Sequence, residues 1–75
     1  MTNAELQLCR WQYRRYADTF SFKLFDLISK ADETNLSRIG EGFPEEVKAY
    51  RCFGNETDYW KNLEREYLNS IEGNQ

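Results

Sequence analysis

The sequence contains no histidine and only two cysteines, Cys9 and Cys52, which lie far apart in the chain. Histidine is the commonest metal ligand at neutral pH, and structural zinc sites also use closely spaced cysteine pairs, which are missing here. We therefore expect no metal and no cofactor. The two cysteines stand among apolar neighbours and are expected to pack as small apolar side chains with free thiols. A single disulfide between Cys9 and Cys52 is the alternative, because spacing alone does not exclude it.

Long apolar runs are also missing from the chain. No stretch approaches the ~18 apolar residues that a membrane-spanning helix needs. The start of the sequence, Met-Thr-Asn-Ala-Glu-Leu-Gln, is polar and lacks the apolar core of a secretory signal. These absences predict a cytoplasmic protein without a membrane partner, in a compartment that keeps thiols reduced.

Motifs of catalysis are absent as well. Without histidine, acid–base chemistry would fall to carboxylates, tyrosine or lysine. The carboxylates Glu45, Glu46, Glu56 and Asp58 cluster where helices are expected to start, and there they favour the helix dipole. No G-x-S-x-G elbow is present, and the Gly-Glu-Gly at 40–42 is not followed by the Lys and Ser/Thr of a phosphate-binding loop. The sequence predicts a binding protein rather than an enzyme.

What the sequence does contain is a helical pattern from its first residues onward. Thr2 and Glu5 have the spacing of a capping box, and residues 3–31 include neither glycine nor proline. Apolar side chains recur there every three or four residues, as one face of an α-helix requires. The sequence therefore predicts a long N-terminal amphipathic helix. The residues on its apolar stripe are Leu6, Cys9, Tyr13, Tyr16, Phe20, Leu24, Leu27 and Ala31.

The length of this predicted helix bears on assembly. Unbroken, it would be about 43 Å long at ~1.5 Å per residue, whereas a compact chain of this size has a radius of gyration of only about 11 Å. Either the helix breaks at Asp18, Thr19 or Ser21, which are able to cap a second helix, or it projects and is covered by another subunit. We favour the second alternative and expect a homo-oligomer.

Residues 32–75 predict three more helices within a single domain, 1–75. Aspartate before an apolar pattern caps a helix, proline is favoured at the first helical position, and glycine commonly ends a helix. The predicted fold class is therefore all-α, with the long N-terminal helix followed by two short helices and a C-terminal helix. The residues expected to begin or end these later helices are Asp32, Gly40, Gly42, Pro44, Gly54, Asn55 and Thr57.

Basic and aromatic residues are interleaved in the first half of the chain. Residues 1–31 have a net charge of +2, whereas residues 32–75 have a net charge of −5. Guanidinium groups grip phosphates and aromatic faces stack on planar rings, so this pattern favours an anionic, nucleotide-like ligand at a site between subunits. The alternative is that the arginines cover apolar surface or pair with the acidic second half. The candidate ligand-binding residues are Arg10, Trp11, Arg14, Arg15 and Lys23.

Aromatic residues are numerous for so short a chain, with five Phe, five Tyr and two Trp. A few short helices are not expected to hide all of them, and large exposed apolar patches usually mark interfaces. The candidate subunit-interface residues are Phe22, Phe25, Trp60 and Tyr67, together with Trp11.

The charge pattern bears on macromolecular partners too. Duplex DNA is not expected, because the helix that would enter the groove begins Pro44-Glu45-Glu46 and would meet phosphates with carboxylates. The acidic segment from Glu41 to Glu72 offers a rival function, the inhibition of another protein through its basic surface. A structural component that only self-associates is the third alternative.

The segment from Lys30-Ala-Asp-Glu-Thr-Asn-Leu to Phe43-Pro-Glu-Glu-Val-Lys-Ala-Tyr, followed by Tyr59-Trp60, looks like small uncharacterised proteins of bacteriophages and prophages. The resemblance rests on helix caps and core positions and carries over no catalytic or binding residue. It implies an accessory protein of the host cytoplasm that antagonises host defence, by blocking a defence protein or by sequestering a nucleotide signal. The expected function is therefore capture of an anionic nucleotide-like ligand, with inhibition of a host protein or a role in assembly as alternatives.

Overall fold

Five α-helices make up most of the chain in a computed structural model, which describes residues 1–73. No strand occurs within that range, so the predicted all-α class is confirmed. The Cα atoms have a radius of gyration of 12.1 Å and extents of 37 × 28 × 17 Å. The helices are α1 (Asn3–Gln12), α2 (Phe20–Lys30), α3 (Glu33–Gly42), α4 (Pro44–Asn55) and α5 (Thr57–Leu68).

Thr2 begins α1 with the predicted capping box. Its hydroxyl accepts a hydrogen bond from the main-chain N–H of Glu5 at 3.1 Å, and the Glu5 carboxylate accepts one from the N–H of Thr2 at 2.8 Å. That second bond is the main reason why the pKa of Glu5 is lowered. The start of α1 therefore has the local hydrogen bonds that its sequence predicts.

The first helix is much shorter than predicted. In place of one helix over residues 3–31, the structure has α1 and α2, separated by residues 13–19. Arg14 and Tyr16 in this loop have φ values of 53° and 58°, in the left-handed region that a right-handed helix does not contain. The argument for self-association that relied on an unbroken helix therefore falls away.

Thr19, one of the three predicted break points, begins α2. Its hydroxyl accepts a hydrogen bond from the main-chain N–H of Phe22 at 3.3 Å, as an N-cap residue does. Because this cap restarts the helix after an irregular loop, the apolar stripe counted through residues 3–31 does not predict which face of α2 is buried.

The remaining helix ends follow the sequence closely, with one exception. Asp32 caps α3 with its side chain, and α3 ends at Gly42. Pro44 occupies the first turn of α4, and α5 begins at Thr57. Gly54 does not end α4, which continues for one more residue, and its φ is not positive. The prediction that Gly54 stops α4 from outside the helix is therefore wrong, because Gly54 is itself helical.

The central helices of the fold are α1 and α4. α1 packs against α2, α4 and α5, while α4 packs against all four other helices. α3 packs mainly on α4. The buried residues of the core are Ala4, Leu8, Cys9, Leu24, Phe25, Ile28, Leu36, Val47, Ala49, Leu63 and Tyr67.

Both cysteines are free thiols, as expected, and the alternative of a disulfide between them does not hold. Cys9 is fully buried in the core, and this burial is the main reason why its pKa rises to about 12. Cys52 on α4 is half-buried. Cys9 therefore packs as a small apolar residue rather than acting as a nucleophile.

Candidate functional site

α2 is apolar on two different faces. Phe25 and Ile28 turn towards the core and are 0% and 1% exposed. Phe20 and Leu27 lie seven residues apart on another face and are 67% and 57% exposed. Only one of these faces can be covered by α1 and α4, so the second remains open.

The second face of α2 borders an open groove between α2 and α3. Its main depression has a volume of about 360 Å³, and a second depression of about 310 Å³ adjoins it. Leu27, Arg38 and Ile39 line both, so the two form one continuous surface, which we call the α2–α3 groove. Its apolar lining consists of Phe20, Leu24, Leu27, Ala31, Ile39 and Phe43.

The groove stays open because of how its two walls are held. Only residues 31–32 connect α2 to α3, and both helices pack on α4 rather than closely on each other. At one end, the rings of Phe20 and Phe43 lie 5.7 Å apart between centroids and form an aromatic wall. An exposed apolar surface with this continuity is typical of an interaction site.

The rim of the α2–α3 groove is basic. Lys23, Lys30 and Arg38 supply its charged side chains, and none of the described residues that line the groove is acidic. Lys30 pairs with Asp26 one turn away at 3.6 Å, but both side chains are well exposed, so this pair is weak. An apolar floor inside a positive rim favours a partner whose apolar residues are flanked by carboxylates.

The predicted ligand-binding residues do not form one site. Arg10 and Arg15 come together at Glu72, which follows α5. The Nε and Nη2 atoms of Arg10 donate to the two carboxylate oxygens of Glu72 at 2.7 and 2.9 Å. Nη1 of Arg15 donates to the main-chain oxygen of Glu72 at 2.6 Å. The hydrogen bond from Arg10 is the main reason why the pKa of Glu72 is lowered.

Trp11 belongs to an aromatic cluster within the chain rather than to an open stacking surface. Its ring centroid lies 6.0 Å from that of Phe25, 6.1 Å from that of Tyr50 and 6.2 Å from that of Phe53. Its Nε1 atom donates to the carboxylate of Asp26 at 3.3 Å. The indole therefore joins α1 to α2 and α4.

Arg14 and Lys23 are exposed but belong to different surfaces. Arg14 lies in the loop between α1 and α2, whereas Lys23 stands on the rim of the α2–α3 groove. Of the five predicted ligand-binding residues, the structure brings only Arg10 and Arg15 onto a shared partner.

Three of the four predicted interface residues are covered by their own chain. Phe25, Tyr67 and Phe22 are 0%, 1% and 8% exposed. Trp60 is half-buried and meets the ring of Phe53 edge-on at 5.3 Å between centroids. Packing within one chain accounts for these aromatic side chains without a second subunit.

The sequence reasoning missed the α2–α3 groove. It placed Phe20 and Leu27 on the stripe expected to be buried, and it assigned no role to Arg38 or Phe43. A signal for the groove was nevertheless present, because residues 20–28 carry six apolar side chains, more than one face of a short helix can bury.

The fold and this surface define an all-α protein of five helices with a basic-rimmed apolar groove. Comparisons with protein-family models, with curated proteins and with solved structures give no match to the chain. Within residues 1–73, no group of three or more His, Cys, Asp or Glu side chains is placed to hold a metal ion. Over the same range, no helix is long and apolar enough to cross a membrane.

Proposed function

We propose that this protein is a non-enzymatic binding protein whose α2–α3 groove receives an amphipathic helix of a partner protein. The observation that carries the proposal is the second apolar face of α2, where Phe20 and Leu27 stand largely exposed above a continuous depression. Covering such a surface with a partner removes apolar area from water and favours association.

A helix fits this groove in length and in chemistry. α2 has 11 residues, so at ~1.5 Å per residue it offers roughly 16 Å, or three turns of a partner helix. Helices that bind grooves present apolar anchors at i, i+3 or i+4, and i+7. Such anchors would rest on Leu24, Leu27 and Ile39, and carboxylates beside them would meet Lys23 and Arg38 on the rim.

The geometry supports the predicted nucleotide-like ligand less directly. Trp11 is engaged with other aromatic rings, and the guanidinium of Arg10 is held by Glu72. The rival prediction, inhibition through the acidic second half, has its own test in charge reversal at Glu45 and Glu46. If the chain is a phage accessory protein, as the resemblance implies, the partner helix would belong to a host defence protein.

A designed peptide tests the groove directly. The probe is a helical peptide of about four turns with leucine at i, i+3, i+4 and i+7 and with glutamate on both flanks. Its matched control carries lysine in place of every glutamate. Each peptide is titrated into ¹⁵N-labelled protein. We expect the acidic peptide to shift the amide signals of α2 and α3 and the lysine peptide to leave them unchanged. Equal binding of both peptides, or shifts confined to other helices, would contradict the proposal.

Variants of the protein separate the groove from the rest of the surface. Leu27→Asp puts a charge on the apolar floor and Arg38→Glu reverses the rim, so each is expected to weaken peptide binding about tenfold or more. Leu68→Asp and Arg65→Glu are the matched controls, because both residues are exposed on α5 outside the groove. The controls should bind the peptide as the wild type does.

Two other occupants of the groove are distinguished by the same variants. If sedimentation shows a dimer that Leu27→Asp converts to a monomer, the groove is covered by a second copy and the partner-helix proposal is wrong. If the protein binds anionic lipid vesicles and Leu27→Asp abolishes that binding, the surface faces a membrane and the proposal is equally wrong.

A further inference from the structure

A second concentration of charge lies outside the α2–α3 groove, where α1, the loop after it and the end of α5 meet. Three donors converge there on Glu72. Arg10 grips both carboxylate oxygens, the hydroxyl of Tyr67 donates to one of them at 3.2 Å, and Arg15 holds the main-chain oxygen. The side chains of Arg10 and Glu72 are 27% and 19% exposed, so the cluster is shielded yet within reach of solvent.

The loop that brings these groups together is strained. Arg14 and Tyr16 both adopt positive φ, which is sterically unfavourable for a residue with a side chain. An ordinary turn would place Gly or Asn at such positions. Here the strained loop directs Arg15 to Glu72 and sets the ring of Tyr16 4.8 Å from the guanidinium carbon of Arg10. Strain of this kind is typical of binding sites.

Glu72 reaches the cluster through a segment with little structure of its own. Residues 69–73, which follow α5, form turns and a bend, held by the Ser70 hydroxyl, which donates to the main-chain oxygen of Tyr67 and accepts from the N–H of Gly73. Gly73 passes so close to α5 that a Cβ there would overlap the Tyr67 carbonyl oxygen and lie 2.7 Å from Cα of Leu68. This close approach seats Glu72 and is lost if the glycine is replaced.

The geometry points to an oxyanion-binding site formed by Arg10, Arg15 and Tyr67, which Glu72 occupies as an internal ligand and which a phosphate group of an external ligand takes over. A phosphate suits the site because its tetrahedral oxygens are able to accept from both guanidinium groups and from the phenol at once. This inference does not rest on the proposed function of the groove.

When an internal ligand competes for a site, the apparent affinity for an external ligand equals the intrinsic affinity multiplied by the fraction of time that the site is open. Removing the internal ligand restores the intrinsic affinity. If Glu72 fills the site nine-tenths of the time or more, its removal strengthens phosphate binding about tenfold or more. The same gain is expected from Gly73→Ala. This variant keeps the Glu72 carboxylate but prevents the close approach that places it against Arg10.

The test uses inorganic pyrophosphate as the probe and titration calorimetry as the readout. We expect Glu72→Ala and Gly73→Ala to bind pyrophosphate about tenfold more tightly than the wild type, and Arg10→Ala combined with Glu72→Ala to lose this gain. Glu41→Ala, at an exposed position on α3, is the control for lost negative charge and should behave as the wild type. Circular dichroism verifies that each variant is folded, and Arg15→Ala in the Glu72→Ala background replaces the Arg10 variant if that one is not.

Three results would overturn the inference. One is an unchanged affinity of the Glu72→Ala protein for pyrophosphate. Another is a gain that survives the loss of Arg10 or Arg15 in a folded protein. The third is tighter binding of N-acetylglutamate amide than of pyrophosphate by Glu72→Ala, which would assign the site to an acidic peptide instead of a phosphate.

Discussion

Phe25 and Leu27 lie two residues apart on α2 and face opposite ways. Phe25 is fully buried, whereas 57% of Leu27 is exposed. An α-helix turns by about 100° per residue, so a separation of two residues places the side chains on nearly opposite sides. The helix therefore serves the core with one side and forms a wall of the α2–α3 groove with the other.

Alanine substitutions at these two positions should have very different effects on stability. Phe25→Ala leaves a cavity in the core and is expected to lower the free energy of unfolding by about 3–5 kcal/mol. Leu27→Ala removes a side chain that is mostly in water and should change it by less than about 0.5 kcal/mol. Urea unfolding followed by circular dichroism measures both. Equal losses would show that Leu27 is buried and would contradict the open groove.

The strained loop predicts a substitution that stabilises the protein. Arg14→Gly relieves the positive φ at that position and should raise the free energy of unfolding by about 0.5–1 kcal/mol, since glycine adopts such a conformation without steric conflict. Asp18→Gly is the control, because its φ is not positive, and there the added freedom of the unfolded chain should destabilise the protein. A loss of stability in Arg14→Gly would show that the side chain has a role beyond its backbone conformation.

The ion pair between Arg10 and Glu72 predicts a contribution to stability that depends on pH. Arg10 lowers the pKa of Glu72 below its ordinary value of 4.5. A carboxyl group with a lowered pKa stabilises the fold above its unfolded pKa, and this contribution is lost as the pH falls through the folded pKa. The wild type should therefore exceed Glu72→Gln in free energy of unfolding at neutral pH, and the difference should shrink in acid.

Urea unfolding of both proteins over a series of pH values measures this difference. Glu41→Gln, at an exposed position, is the comparison that accounts for a general loss of negative charge. A gap between wild type and Glu72→Gln that stays constant down to pH values well below 4.5 would contradict the assigned ion pair.

The two thiols should react in a fixed order. Cys9 is fully buried with a pKa of about 12, whereas Cys52 is half-buried. Because thiolates are the reactive species, a disulfide reagent should modify Cys52 first and Cys9 only after unfolding. The Cys52→Ser protein should therefore be inert while folded and gain one reactive thiol in urea. Rapid modification of the folded Cys52→Ser protein would place Cys9 nearer the surface.

Local signals in the sequence were sufficient for most of the helix ends. Thr2, Asp32 and Pro44 act through bonds and dihedral angles within a few residues, so their effect does not depend on the rest of the fold. In the loop at 13–19 the local signals are the possible cap residues Asp18 and Thr19, and neither Gly nor Pro marks the end of α1. Arg15, between its two residues with positive φ, donates to the main-chain oxygen of Glu72, which lies 57 residues away along the chain.

The candidate sites were less accessible to sequence reasoning than the fold. One alternative was that arginines of the first half pair with the acidic second half. Glu72 is, however, one of ten acidic residues in that half, and only the three-dimensional structure identifies it as the partner of Arg10. The α2–α3 groove depends on which face of α2 the core covers. That choice is made by the packing of α1 and α4, which periodicity along one helix does not encode.

The attachment of α3 has a consequence for how the molecule opens. α3 contributes one buried side chain, Leu36, and packs mainly on α4. Segments with so few buried contacts detach locally at lower free energy than the rest of a domain, and their amide hydrogens exchange with solvent sooner. A molecule bound across the α2–α3 groove would hold α3 against α2 and slow that exchange. Binding would therefore be detected as slower deuterium uptake by the amides of α3.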